Sequence, residues 1–189
     1  YISFNFNMDI LAHTLWANAG ARGLNKIREK KGKPKIIHAG WTGFWGVFPD
    51  LFAFTIPFIV ALYKIITGEL TSSSFGSHHA PVGTFDLASY LYQYSHSLVI
   101  WVAVFLIVWA ISRRPRYELL GWALHILIDI PSHAIGFYPT PFLFPISEYR
   151  FPYGVAWSNM WYMIINYSGL ILVWTGIMVS RLRQRRKAS

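Results

Sequence analysis

His125, Asp129 and His133 recur at four-residue intervals inside a run that is otherwise apolar. An α-helix turns about 100° per residue, so these positions share one stripe. Leu124, Ile126, Leu127, Ile128 and Ile130 occupy the rest of that helix. An ionisable group at membrane depth is costly and normally faces a bundle interior, where it marks a functional site. The stripe therefore offers metal ligation or proton relay. The chain has no cysteine, so a metal must take His, Asp or Glu ligands.

Three further polar groups lie within apolar sequence: Asp50 after Pro49, His96 in Tyr94-Ser-His-Ser97, and His13 near the start. Measured from the basic ends of their segments at about 1.5 Å per residue, the six groups lie roughly 12 to 24 Å deep. They can meet in one layer. Imidazole and carboxylate donors suit zinc, with manganese or iron as the alternatives. Asp50 has a simpler reading as a helix N-cap, and His96 as a ring bonded to a nearby carbonyl. His78 and His79 fall in a Ser- and Gly-rich loop and read as solvated.

The elements that must position these groups follow from hydropathy. The chain is 54% hydrophobic, 18% aromatic and only 13% charged, which is too apolar for an average soluble domain. Apolar spans run from about Trp41 to Ile66, Leu87 to Ile111, Leu119 to Phe137 and Trp157 to Val179. Each approaches the ~20 residues that cross a bilayer. Residues 8–22 read as a helix that lies in the interface or enters the bundle, followed by a basic hairpin at Arg22–Lys35. The expectation is an all-α polytopic membrane bundle, residues 1–189 as one domain, with four spans and an N-terminal helix. Residues 1–7, before Met8, read as an extension or a mis-called start, and no basic segment precedes an apolar one as a cleaved leader requires.

The formal net charge is +9. All of the 17 Lys and Arg except Lys64 and Arg150 fall in three blocks, Arg22–Lys35, Arg113–Arg116 and Arg181–Lys187. These are loop and tail positions of the four-span arrangement. The charge thus reads as membrane orientation rather than nucleic-acid binding, with the three blocks and the tail at 181–189 cytoplasmic.

Five stretches occur in order: Met8-Asp-Ile-Leu-Ala-His13, Gly46-Val-Phe-Pro-Asp50, Tyr94-Ser-His-Ser-Leu98, Gly121 to Asp129, and Leu143-Phe-Pro-Ile-Ser-Glu-Tyr-Arg-Phe151. Their order and wording resemble the membrane-bound metal-dependent hydrolases, inner-membrane proteins of bacteria and archaea also described as LexA-binding hydrolases. The resemblance implies metal ligation by His13, Asp50, His96, His125 and Asp129, with a polar turn at Pro145–Arg150 near the site. That family often carries a second acidic residue two positions after the Pro-Asp aspartate. Phe52 stands there in this chain, which removes a ligand for a second metal, and His133 is the residue available in its place.

The favoured expectation is hydrolysis of a lipid-like or phosphoester substrate in the bilayer. His133 is then a further ligand or general base, and Arg150 clamps an anionic group in two-point contact. Two other readings use the same residues. One is an accessory subunit of a larger membrane complex with a structural metal or hydrogen-bond cluster. The other is a proton or metal-ion conductor.

Overall fold

The computed structural model describes residues 7–69, 86–136 and 139–188. His78 and His79 fall outside them. Among the described residues the regular secondary structure is all helical, with six α-helices: α1 (Asn7–Lys30), α2 (Ala39–Ile66), α3 (Asp86–Ser95), α4 (Leu98–Ser112), α5 (Leu120–Ser132) and α6 (Met160–Ala188). A single 3-10 turn, Tyr117–Leu119, leads into α5.

The count of four spans is not met. Only α2 and α6 are long and apolar enough to cross a membrane alone. The expected second span is broken: α3 and α4 meet at 59°, and they make a third crossing only if the bent pair counts as one. The expected third span is the 13-residue α5. At 1.5 Å per residue it covers about 20 Å of a hydrocarbon core about 30 Å thick.

Local chemistry explains these differences. Ser97 caps α4, its hydroxyl accepting from the Ile100 amide at 3.2 Å. A serine that bonds backbone in this way starts a helix rather than continuing one. Pro131 lies in the last turn of α5, and His133 leaves the helix in an extended conformation at φ −115°. The freed Pro131 carbonyl accepts from the Val155 amide at 2.8 Å, so the segment after α5 folds back over its end.

The N-terminal helix enters the bundle and runs eight residues beyond the expected Arg22, through most of the basic hairpin. Its small residues Ala12, Ala17, Ala19 and Ala21 are buried, and it packs on α2, α5 and α6. Close approach to α2 is fixed by glycine. A Cβ on Gly46 would lie 2.6 Å from Ala17 Cβ and 2.8 Å from the His13 carbonyl oxygen. One on Gly121 would strike the Thr42 carbonyl oxygen. Small residues at such crossings are how membrane helices bring backbones together.

The helix α6 runs alongside α1 in the same direction. Trp16 Nε1 donates to Asn166 Oδ1 at 2.7 Å, the Arg22 guanidinium sits 5.7 Å over the Trp174 ring, and Lys26 Nζ donates to Ser180 Oγ at 2.5 Å. The His38 amide donates to Glu118 at 3.3 Å. These contacts gather Arg22–Lys35, the Arg116 region and the start of the tail at one end of the bundle.

Candidate metal centre

Five side chains from three helices and one helix break converge: His13 from α1, Asp50 from α2, His96 from the α3–α4 break, and His125 and Asp129 from α5. His125 Nε2 lies 3.0 Å from His96 Nε2, 3.1 Å from Asp129 Oδ2 and 3.6 Å from Asp50 Oδ1. His96 Nε2 lies 3.3 Å from Asp129 Oδ2 and 3.4 Å from Asp50 Oδ1. His13 Nε2 is 3.1 Å from Asp129 Oδ1, and its ring lies 3.8 Å from that of His125, centroid to centroid.

The rings are aimed by the chain itself. His125 Nδ1 donates to the Gly46 carbonyl oxygen at 2.7 Å. Ser95 donates its hydroxyl to the Tyr92 carbonyl, so it accepts from His96 Nδ1 at 2.9 Å. With Nδ1 as donor in both neutral rings, each Nε2 carries a lone pair. Binding the far nitrogen to a carbonyl or hydroxyl is how ligating histidines are commonly oriented. Tyr92 stacks on His96 at 3.7 Å, and Trp122 Nε1 donates to the Ser95 carbonyl at 2.6 Å. Ser97 donates to the Phe144 carbonyl, and the Leu98 amide to that of Phe142 at 3.0 Å. The unwound turn at His96 is thereby held from both sides.

With both rings neutral and protonated at Nδ1, lone pairs on two imidazoles and two carboxylates face one another, an arrangement that a cation would satisfy. A proton bridges one pair of acceptors. Four converging acceptors call for an ion that binds them together. The five separations span 3.0–3.6 Å. A tetrahedral ion with bonds of about 2.1 Å sets its ligand atoms about 3.4 Å apart. The donor set and its spacing therefore could hold a metal ion. His13 with Asp50 and His125, and His96 with His125 and Asp129, each form a group able to hold an ion.

The remaining expectations fall out differently. The helix α2 starts at Ala39 with His38 as its cap and runs unbroken through Pro49 and Asp50, so Asp50 is not a helix cap. His133 lies beside the cluster: its Nδ1 donates to the Asp129 carbonyl at 3.2 Å and is 3.8 Å from Asp129 Oδ1. Arg150 donates to the Glu148 and Tyr149 carbonyls and pairs with the Glu148 carboxylate at 3.6 Å. These contacts lie within its own turn. Phe52 is largely exposed on α2, next to Phe48.

Sequence reasoning missed the residues that aim the ligands: the Gly46 carbonyl, Ser95, Tyr92 and Trp122. The signal available was positional. Gly43, Gly46 and Gly121 interrupt apolar helices where only a close backbone approach favours glycine.

One side of the cluster reaches the surface. The side chains of His13, His96, His125 and Asp129 are at most 1% exposed, whereas Asp50 is 16% exposed. No family model, curated protein or solved structure matches this chain.

Proposed function

We propose that the chain is an integral membrane protein that holds a divalent metal within its helix bundle and uses it to hydrolyse a lipid-like or phosphoester substrate. The observation that carries this reading is the convergence of five donors with Asp50 alone at the surface. A structural ion is closed off by its ligands and a catalytic one keeps an open position; either three-residue group, His13 with Asp50 and His125 or His96 with His125 and Asp129, would leave the fourth tetrahedral position open. His13, Asp50, His96, His125 and Asp129 would hold the ion, with zinc the best fit to the donors and manganese or iron the alternatives. When bound, such an ion supplies Lewis acidity to a scissile ester or phosphoester. His133 engages Asp129 through Nδ1, which leaves Nε2 as the basic nitrogen for proton transfer. Arg150 gains an anion-binding role by exchanging Glu148 for a substrate phosphate. The resemblance to the membrane-bound metal-dependent hydrolases supports the same assignment.

Elemental mass spectrometry of the chain purified without chelator is expected to find about one divalent metal per molecule, as one tetrahedral site requires. Chelation should abolish ester or phosphoester hydrolysis, and zinc should restore it. A folded chain that neither carries nor takes up metal would leave the same His–Asp array as a proton relay. A metal-loaded chain inert to both substrate classes would make the ion structural and favour the accessory-subunit reading.

Sidedness follows from the gathered basic ends. The positive-inside rule places them, and the C-terminus, in the cytoplasm of a bacterial or archaeal cell. The chain has no native thiol, so single cysteines report cleanly. Lys30→Cys and Arg185→Cys should both react with an impermeant maleimide from the cytoplasmic face. Labelling from opposite faces would contradict the packing of α1 along α6.

A further inference from the structure

We propose that the groove between the C-terminal halves of α1 and α6 is a binding site for the headgroup of an anionic phospholipid. The groove has a volume of about 710 Å³ and is lined by Lys26 from α1 and by Gly176, Val179, Ser180, Arg183 and Arg186 from α6, among others. Among the described residues, no acidic side chain lines it. Three cationic side chains therefore share one concave surface without a lining carboxylate, and their potentials add there. Lys26 is already turned inward, its ammonium donating to the Ser180 hydroxyl at 2.5 Å. That leaves two ammonium protons for an incoming oxygen. The Arg183 guanidinium offers two-point contact to a phosphate.

A lipid fits better than a free anion because the groove straddles a boundary. On one side α6 is apolar and open, with Leu172, Met178 and Val179 exposed. On the other it becomes basic from Arg181 onward. Gly176 leaves open space, since a Cβ there would meet nothing within 4 Å. A phosphodiester at Lys26, Arg183 and Arg186 would thus have room for its glycerol and acyl chains along Gly176 and Val179. Basic pockets between helices at the cytoplasmic surface are suited to such headgroups. The site does not depend on the metal centre.

The test is native mass spectrometry of the full chain in detergent, mixed with phosphatidylglycerol or with phosphatidylcholine of the same acyl chains. Retention of phosphatidylglycerol is expected to exceed that of phosphatidylcholine by roughly tenfold or more. Lys26→Gln with Arg183→Gln should abolish the preference. Lys31→Gln with Lys33→Gln, which removes the same charge from the exposed loop after α1, should preserve it. Equal retention of the two lipids by the unmodified chain overturns the proposal without recourse to any variant. So does an equal loss in both double variants, which would mean that net charge alone attracts the lipid. Displacement of phosphatidylglycerol by millimolar inorganic phosphate would reassign the groove to a free anion.

Discussion

His125→Ala is expected to lose bound metal, whereas His133→Ala keeps it. His125 Nε2 faces His96, Asp50 and Asp129 together, and, among the described residues, His125 belongs to both groups able to hold an ion. Removing an outer partner of a ligand already lowers metal affinity by about 10–100-fold, so loss of a coordinating nitrogen should exceed about 100-fold. The vacated space also takes one imidazole from Asp129, 1% exposed, leaving His13 and His96 beside it, and raises the cost of its burial. His133 touches Asp129 from outside the cluster. Its alanine variant should bind metal normally and lose turnover through the missing base. Metal content per chain, read beside helix content by circular dichroism, separates the two. A His125→Asn variant of near-native volume guards against misfolding as the cause. Full metal occupancy in a folded His125→Ala chain would reduce the cluster to a hydrogen-bond network.

Gly46→Ala and Gly121→Ala should each destabilise the bundle strongly, although each adds one methyl group. The atoms in the way are Ala17 Cβ and the His13 carbonyl in the first case and the Thr42 carbonyl in the second. None is the end of a flexible side chain, so whole helices must part. Overpacking of this kind costs about 1–3 kcal/mol or more, and a drop in melting temperature of roughly 4–10 °C is expected for a chain of this size. Gly46→Ala should also weaken metal binding, because displacement of its backbone moves the carbonyl that aims His125. The control is Gly23→Ala on α1, where a Cβ meets nothing within 4 Å. Alanine there gains about 0.5–1 kcal/mol through helix propensity. Thermal unfolding followed in detergent ranks the three, and parity of Gly46→Ala with Gly23→Ala would refute the close crossing.

The ionisable members of the cluster were legible in the sequence because each is a polar group inside apolar text. His125 and Asp129 announce themselves by the four-residue interval, and Asp50 and His96 by the hydrophobic runs on either side. The break at Ser95–Ser97 was not legible from hydropathy, since a window of 20 residues averages over two serines. Ser97 carried the signal as a capping residue, but its effect depends on the Phe142 and Phe144 carbonyls lying opposite, which are distant in sequence. The length of α5 was misjudged for a related reason. Apolar residues continue past Pro131, but the helix ends at Ser132, where the folded-back chain at Val155 takes up the Pro131 carbonyl. The supporting contacts of Gly46 and Gly121 are backbone events, and a hydropathy count assigns glycine little weight.

The order of the donors along the chain bears on how the site comes into being. His13, Asp50, His96, His125 and Asp129 all precede Met160, where α6 begins. A ribosome still translating the last helix has therefore already delivered every ligand atom. The contribution of α6 comes later and through α1, by the Trp16–Asn166, Arg22–Trp174 and Lys26–Ser180 contacts. The synthesis of α6 thus adds none of these five ligands to the centre and instead fastens the helix that carries His13.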